Sequence, residues 1–219
     1  MSQYVQTILP ALMEGAVISL KLFAVTLIFS LPLGLPIAFG ENSKILPLRW
    51  FCKVYVFIFR GSPLMLQLFF FYFFFPIELG IQMAAFPTAA LTFVLNYAAY
   101  FAEIYRGGMN GIDRGQYEAA YSLGLSKART MMGIILPQTF RIVLPPISNE
   151  VIVLIKDTAL ASVIALADIM RVSQKIVNRD GTLVAYVIAA AIYLAFTFVM
   201  TIILSKLEKR VGRYDAKEA

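Results

Sequence analysis

Apolar residues come along this chain in long blocks, and the blocks set the first reading. A helix needs about 20 mostly apolar residues to cross a bilayer core. Five blocks approach or exceed that length: Ala16 to Phe39, Val54 to Phe75, Thr88 to Tyr105, Ile142 to Leu166 and Leu183 to Leu204. Polar punctuation predicts where they bend. Pro32, Gly34 and Pro36 predict a kink in the first. Arg60-Gly61-Ser62-Pro63 interrupts the second, with Ser62 placed to cap a helix whose first residue is Pro63. The piece beyond would be only about 20 Å long, so the second block reads as a kinked or two-piece helix. Lys156-Asp157-Thr158 breaks the fourth near its middle. Residues 1–11 read as a short leader, and Lys21 is close enough to the start of the first span to snorkel outward. Pro76 to Pro87 reads as a short loop, and Ala167 to Thr182 as a polar segment at the surface opposite the long connector 106–141. The fold class is therefore an all-α polytopic membrane protein with about five transmembrane helices, residues 1–219 forming one domain.

Composition strengthens this picture. The chain is 60% hydrophobic and 15% charged, against ~45–50% apolar residues in soluble domains. It has no histidine and one cysteine, Cys52, which leaves no internal disulfide, no Cys/His metal site and no Ser/His/Asp triad. The net charge of +6 falls between the apolar blocks rather than on one face, so it reads as a topology signal and not a nucleic-acid surface. With the N-terminus outside, the inner segments hold thirteen lysines and arginines and the outer ones only Arg171, Lys175 and Arg179. That asymmetry predicts a cytoplasmic C-terminus and connector. The first lysine is Lys21, so a signal-peptide n-region is missing and the first block is expected to stay as a span.

The connector has the make-up of two short helices hinged at a glycine. Glu118 to Leu123 is rich in helix formers, Gly124 can take the positive φ that closes a helix, and Ser126 can cap the next one. Pro137 is expected to stop that second helix. The spacing Glu118-Ala119-Ala120, Gly124, then Ile134-x-Leu136-Pro137 resembles the cytoplasmic EAA loop of permease subunits of bacterial ABC importers. Two further stretches resemble the polar amino acid branch of that family: Arg60-Gly61-Ser62-Pro63-Leu64 with Gln67, and Ala99 to Gly108. Lys156 to Ile164 is similar to its fourth-span core, with Asp157 where glutamate is more usual.

The resemblance implies a type I ABC importer permease fold in the bacterial inner membrane. It implies a dimer with a second permease subunit (homodimer or heterodimer), two ATP-binding subunits holding ATP and Mg, an extracytoplasmic substrate-binding protein and an amino acid substrate. It also implies that Glu118, Ala119, Ala120, Gly124, Ile134, Leu136 and Pro137 form the coupling element that docks on the ATPase. No G-x-x-x-x-G-K-[ST] loop occurs, so ATP hydrolysis is expected in a partner and the chain itself is not an enzyme.

Ionisable and amide groups inside spans are functional candidates, because lipid penalises them. Lys156, Asp157 and Thr158, with Asn96, Tyr100 and Gln67, are the candidate substrate pathway. Asn96, Tyr100 and Glu103 stand at i, i+4 and i+7, one stripe of a helix, and such residues also serve as hydrogen bonds between helices. Glu103 is expected to pair with Arg106 or Arg60 near the inner end. Phe69 to Phe75 reads as lipid contact. A competing reading makes Lys156-Asp157 an ion relay in a stand-alone, gradient-driven secondary transporter or channel. Inverted repeats would favour it, and none is visible.

Overall fold

The computed structural model describes residues 2–212, and every regular element among them is helical. Arg213 and Lys217 of the basic tail lie outside the described residues. Helix α1 runs Ser2–Glu41, α2 Leu46–Gly61, α3 Leu64–Glu78 and α4 Ala85–Asn110. Two short helices follow, α5 Arg114–Ser122 and α6 Lys127–Thr130, then a π-turn Met131–Ile135 leading into α7 Leu136–Asp157. A 3₁₀ segment Thr158–Ile164, α8 Ile169–Asp180 and α9 Val184–Gly212 complete the chain.

The first helix departs most from expectation. Residues 2–11, expected as a leader, are part of it: Ile8 and Leu12, one turn apart, form an apolar stripe that packs on Ile176 of α8 and Ala185 of α9. That burial carries the helix back to Ser2, through Pro10, and leaves Lys21 exposed midway along α1 instead of near its start. The 40 residues extend about 60 Å at 1.5 Å per residue. Further on, α1 lies against α4 at close range. A Cβ on Gly34 would sit 2.9 Å from Phe101 Cβ and 3.0 Å from the Ala102 nitrogen, so only glycine permits this approach.

Phe93, Tyr97 and Phe101 of α4 form the middle of the core with Leu22, Leu68, Val143 and Leu154. Helix α4 is thus the central post of the bundle. Three helices are long and apolar enough to cross a membrane, namely α1, α4 and α9, and α2 with α3 counts as a fourth if the bent pair is one span. Helix α7, in the fourth block of the sequence, is not among them; it carries Arg141 and Glu150 along its length and Lys156 and Asp157 at its end.

The predicted loop 76–87 is shorter than expected, covering residues 79–84, since Pro76 lies inside α3 and Pro87 in the first turn of α4, where a missing N–H costs nothing. Pro137 does not stop its helix either. It falls at the start of α7, immediately after the π-turn, and α6 runs on through that turn into α7. A π-turn widens the helix locally, which gives the proline ring room. The expected break after Lys156 is present: α7 ends at Asp157, tightens to 3₁₀, and Ala165 takes a left-handed φ of 62°.

The two ends of the bundle are well separated. At one, Tyr4 donates to Asp180 (2.7 Å) at the end of α8, whose start, capped by Asp168 Oδ1 accepting from the Arg171 nitrogen at 2.9 Å, lies deeper, against Gly15 and Ser19 of α1. At the other, Asn42 Nδ2 faces Asn110 Oδ1 at 3.5 Å beside the α5–α6 hairpin.

Candidate functional site

The site is built around the bend between α2 and α3, which turns the chain through 108°. A break of that size frees backbone carbonyls inside the bundle, and lipid offers them no partner. Ser62 was expected to cap α3. It donates instead to the Ile58 carbonyl at 2.7 Å, and Pro63 precedes α3 without a side-chain cap. The freed carbonyls are met by two buried amides. Gln67 Nε2 lies 2.9 Å from the Phe59 oxygen and 3.1 Å from that of Ser62, and Asn96 Nδ2 donates to the Phe59 oxygen at 2.9 Å and to Gln67 Oε1 at 3.0 Å. Gln67 and Asn96 are therefore the staple of the hinge.

Beside the hinge opens a cleft of about 510 Å³, within the range of small-ligand sites. Its walls are Arg60 to Leu64 at the bend, Asn96, Tyr97 and Tyr100 on α4, and Glu150, Val153 and Asp157 on α7, with Leu160 beyond. Glu150 and Asp157 are seven residues apart, so they share a helical face about 10 Å from one another. Tyr97 donates to Asp157 Oδ2 at 2.8 Å. The Arg60 guanidinium lies 5.5 Å above the Tyr100 ring, and its Nη1 is 3.6 Å from Glu103 Oε2. Glu103 is held bidentately by Arg106, through Nε at 3.0 Å and Nη2 at 2.5 Å. The cleft can offer a carboxylate its guanidinium and an ammonium its two acids.

Of the pathway candidates, Asp157, Tyr100 and Asn96 line this cleft, the last with its amide already committed. Gln67 is buried behind the bend, and Thr158 is buried with its hydroxyl donated to the Ile155 oxygen at 2.7 Å. Lys156 is exposed and lies outside the cleft walls, so the Lys156-Asp157 pair points two ways. Arg60, named for an ion pair, belongs to the cleft as well.

Sequence reasoning passed over Glu150 and Tyr97. Glu150 carried a readable signal, a carboxylate inside a span and two turns before Asp157. Tyr97 carried none, since it sits among Phe93 and Phe101 as one more aromatic of the core face.

The second candidate region is the α5–α6 hairpin. Asp113 caps α5 by accepting from the Gly115 nitrogen at 2.6 Å, and Gly124 closes it with φ +69°. Leu125 N donates to the Ala120 oxygen at 3.0 Å, the bond pattern of a glycine-terminated helix. Ser126 then caps α6, its hydroxyl 3.4 Å from the Arg129 nitrogen. Glu118 and Ala119 face outward with Tyr121, 84% exposed, and Leu123, 78% exposed. Ala120 is buried, so of the Ala119-Ala120 pair only Ala119 faces outward. Leu136 is buried, Ile134 half-buried and Pro137 exposed, placing these three at the root of α7 and away from the hairpin tip. Gln138 reaches back to Gln116 Oε1 at 3.3 Å, tying that root to α5.

An all-helical bundle with membrane-crossing helices, a polar cleft among them and a projecting helical hairpin defines a membrane permease. Residues 30–213 match the family described as the inner membrane component of binding-protein-dependent transport systems. The chain is 40% identical to the L-cystine transport system permease protein of Bacillus subtilis (strain 168), covering 97% of this chain and 91% of that one. It is 38% identical to an arginine transport system permease protein of the same organism, covering 94% and 95%. A solved amino acid ABC transporter with histidines superposes with a TM-score of 0.87 at 35% identity, covering 95% of this chain and 97% of its own. The chain belongs to this family of inner-membrane transport components, and its fold is that of type I ABC importer permeases.

Proposed function

We propose that the chain forms the substrate pathway of an ATP-driven importer for polar amino acids, working as a dimer and coupled to separate ATPase subunits through the α5–α6 hairpin. The observation that carries this reading is the cleft. It brings one guanidinium, two carboxylates and two phenols to the wall of a space sized for a small molecule. An amino acid backbone is a zwitterion, and such a site pairs both its charges where water is scarce. The relatives' names, for cystine and arginine permeases, point to the same class of cargo.

The hairpin supplies the second half of the mechanism. Its tip presents Glu118, Ala119, Tyr121 and Leu123 to a partner, while the Gln138–Gln116 bond links α5 to the start of α7. Closure of two ATPase subunits would move both hairpins together and, through α7, shift the Glu150–Asp157 wall of the cleft. The positive-inside count puts this hairpin and the C-terminus in the cytoplasm, and the α8 end outside, where a binding protein delivers substrate.

The test is ATPase activity of the complex captured on this chain, placed in liposomes with extracytoplasmic binding proteins and a panel of amino acids. Stimulation by one binding protein with its ligand is the expected result. Absence of any co-purifying ATPase, with uptake following an ion gradient, overturns the proposal.

A further inference from the structure

One acid and one aromatic ring hold Arg60, and the geometry shows that the bond to the acid is the loose one. Glu103 does not need Arg60 for its charge, because Arg106 already engages both of its oxygens. Arg60 approaches that carboxylate with one nitrogen at 3.6 Å, longer than an N–H···O hydrogen bond of about 2.7–3.2 Å. A guanidinium binds a carboxylate best as a planar fork, through two parallel bonds. Arg60 does not use its fork on Glu103, yet its plane is steadied by the Tyr100 ring beneath it. It is also the one cation among the residues that wall the cleft.

We propose that Glu103 is a built-in stand-in for the carboxylate of the cargo: it holds Arg60 while the cleft is empty and gives it up when an amino acid carboxylate enters. This rests on reading the cleft as an amino acid site. Arg60 is then the residue that selects for a free carboxylate, and Glu103 is a positioning residue that sets how tightly one is held. Every arriving carboxylate must displace Glu103, so apparent affinity is lowered by the fraction of time Arg60 is occupied. On departure, Glu103 takes Arg60 back. A pathway that must release what it binds gains from such an internal competitor.

The proposal predicts a gain of binding from a loss of charge. The assay is direct binding of radiolabelled L-amino acids, cystine included, to the whole complex in nanodiscs with its ATPase arrested and no binding protein present. The carboxamide of any amino acid that binds serves as the comparison ligand. E103Q should tighten binding of the amino acid about two- to fivefold, the scale of a loose, partly exposed ion pair, and leave that of its carboxamide unchanged. E103D, which keeps the Arg106 pair but withdraws the carboxylate by one methylene, should show a smaller gain and guards against misfolding of E103Q. R60Q should weaken amino acid binding at least tenfold, and E103Q added to it should restore nothing.

Unchanged or weaker binding in both E103Q and E103D, with E150Q and D157N weakening it, overturns the stand-in while the cleft reading stands. If R60Q, E150Q and D157N all leave binding unaltered, the cleft reading itself fails and takes the stand-in with it.

Discussion

Two helices of this protein are interrupted, and the interruptions are opposite in kind. Between α2 and α3 the chain turns 108°, and two buried amides, Gln67 and Asn96, close on the carbonyls the turn exposes. At Met131–Ile135 the helix only widens to a π-turn and continues, held by a single amide of its own next turn, Gln138, whose Nε2 donates to the Ile134 oxygen at 3.0 Å, with open space around Gly133. The sharper break is thus the more rigid one. It fixes the mouth of the cleft, while the gentler one joins the hairpin to α7, where displacement has to pass. The difference teaches that the angle of a break says little about its stiffness. What decides is whether its orphaned backbone groups are held by side chains or by the next turn of helix.

That contrast can be broken most sharply at the staple. Gln67→Met combined with Asn96→Leu keeps volume but strands the Phe59 and Ser62 carbonyls, each costing roughly 1–3 kcal/mol when buried without a partner. Thermal unfolding of the purified complex should show a loss of about 3 kcal/mol or more. A loss under about 1 kcal/mol means that the bend holds itself.

A smaller effect is expected where the start of α8 meets α1. Asp168 is fully buried and its Oδ2 has no hydrogen-bond partner, and burial pushes its carboxyl up to about 6. The folded protein therefore binds that proton more tightly than the unfolded chain. The contribution of Asp168 to stability should be greatest below pH ~4, fall as pH rises to about 6, and stay level above that. The span of the fall is about 2–3 kcal/mol at 1.36 kcal/mol per pKa unit. Asp168→Asn, which keeps a capping oxygen, should flatten a plot of melting temperature against pH.

Gly124→Asp tests the hairpin. A φ of +69° costs a non-glycine residue about 1–2 kcal/mol, a local strain too small to unfold the bundle. The variant should reach the membrane in normal amount yet hydrolyse ATP without uptake. Normal uptake would falsify the coupling role of this loop.

Smallest of all is Gly133→Ala in the π-turn. Nothing lies within 4 Å of the added methyl, and alanine favours helix over glycine by up to about 1 kcal/mol. Stability should stay level or rise slightly while the turnover rate drops, because the joint has stiffened. A destabilised protein would show that the turn is already as constrained as the hinge.

The sequence-readable part of this architecture follows from how local each signal is. Apolar blocks located the helices, Gly124 and Ser126 located the hairpin turn, and the charges around Lys156 located the end of α7, since each of these acts within a few residues. Pro137 and Ser62 misled for the same reason. Proline stops a regular helix, but a π-turn two residues earlier accommodates it, and Ser62 caps only when no closer carbonyl claims its hydroxyl. The N-terminal residues are helical because Ile176 and Ala185, more than 160 positions away, cover Ile8 and Leu12. The cleft shows the same limit. Asp157 stood out as a charge inside a span, whereas its phenolic partner Tyr97 became visible only when α4 and α7 were side by side.

The length of α1 has a mechanical consequence. At about 60 Å it is twice the thickness of a ~30 Å hydrocarbon core, and polar contacts meet it near both extremities, Asp180 at the end of α8 at one and Asn110, the last residue of α4, facing Asn42 just beyond the other. A strut clamped in this way sets a fixed spacing between the two faces of the protein. Whatever traffic passes through the bundle, the faces cannot draw together or apart like a bellows. They can exchange motion only by tilting about the strut as a seesaw does, so that opening on one side and closing on the other become a single movement.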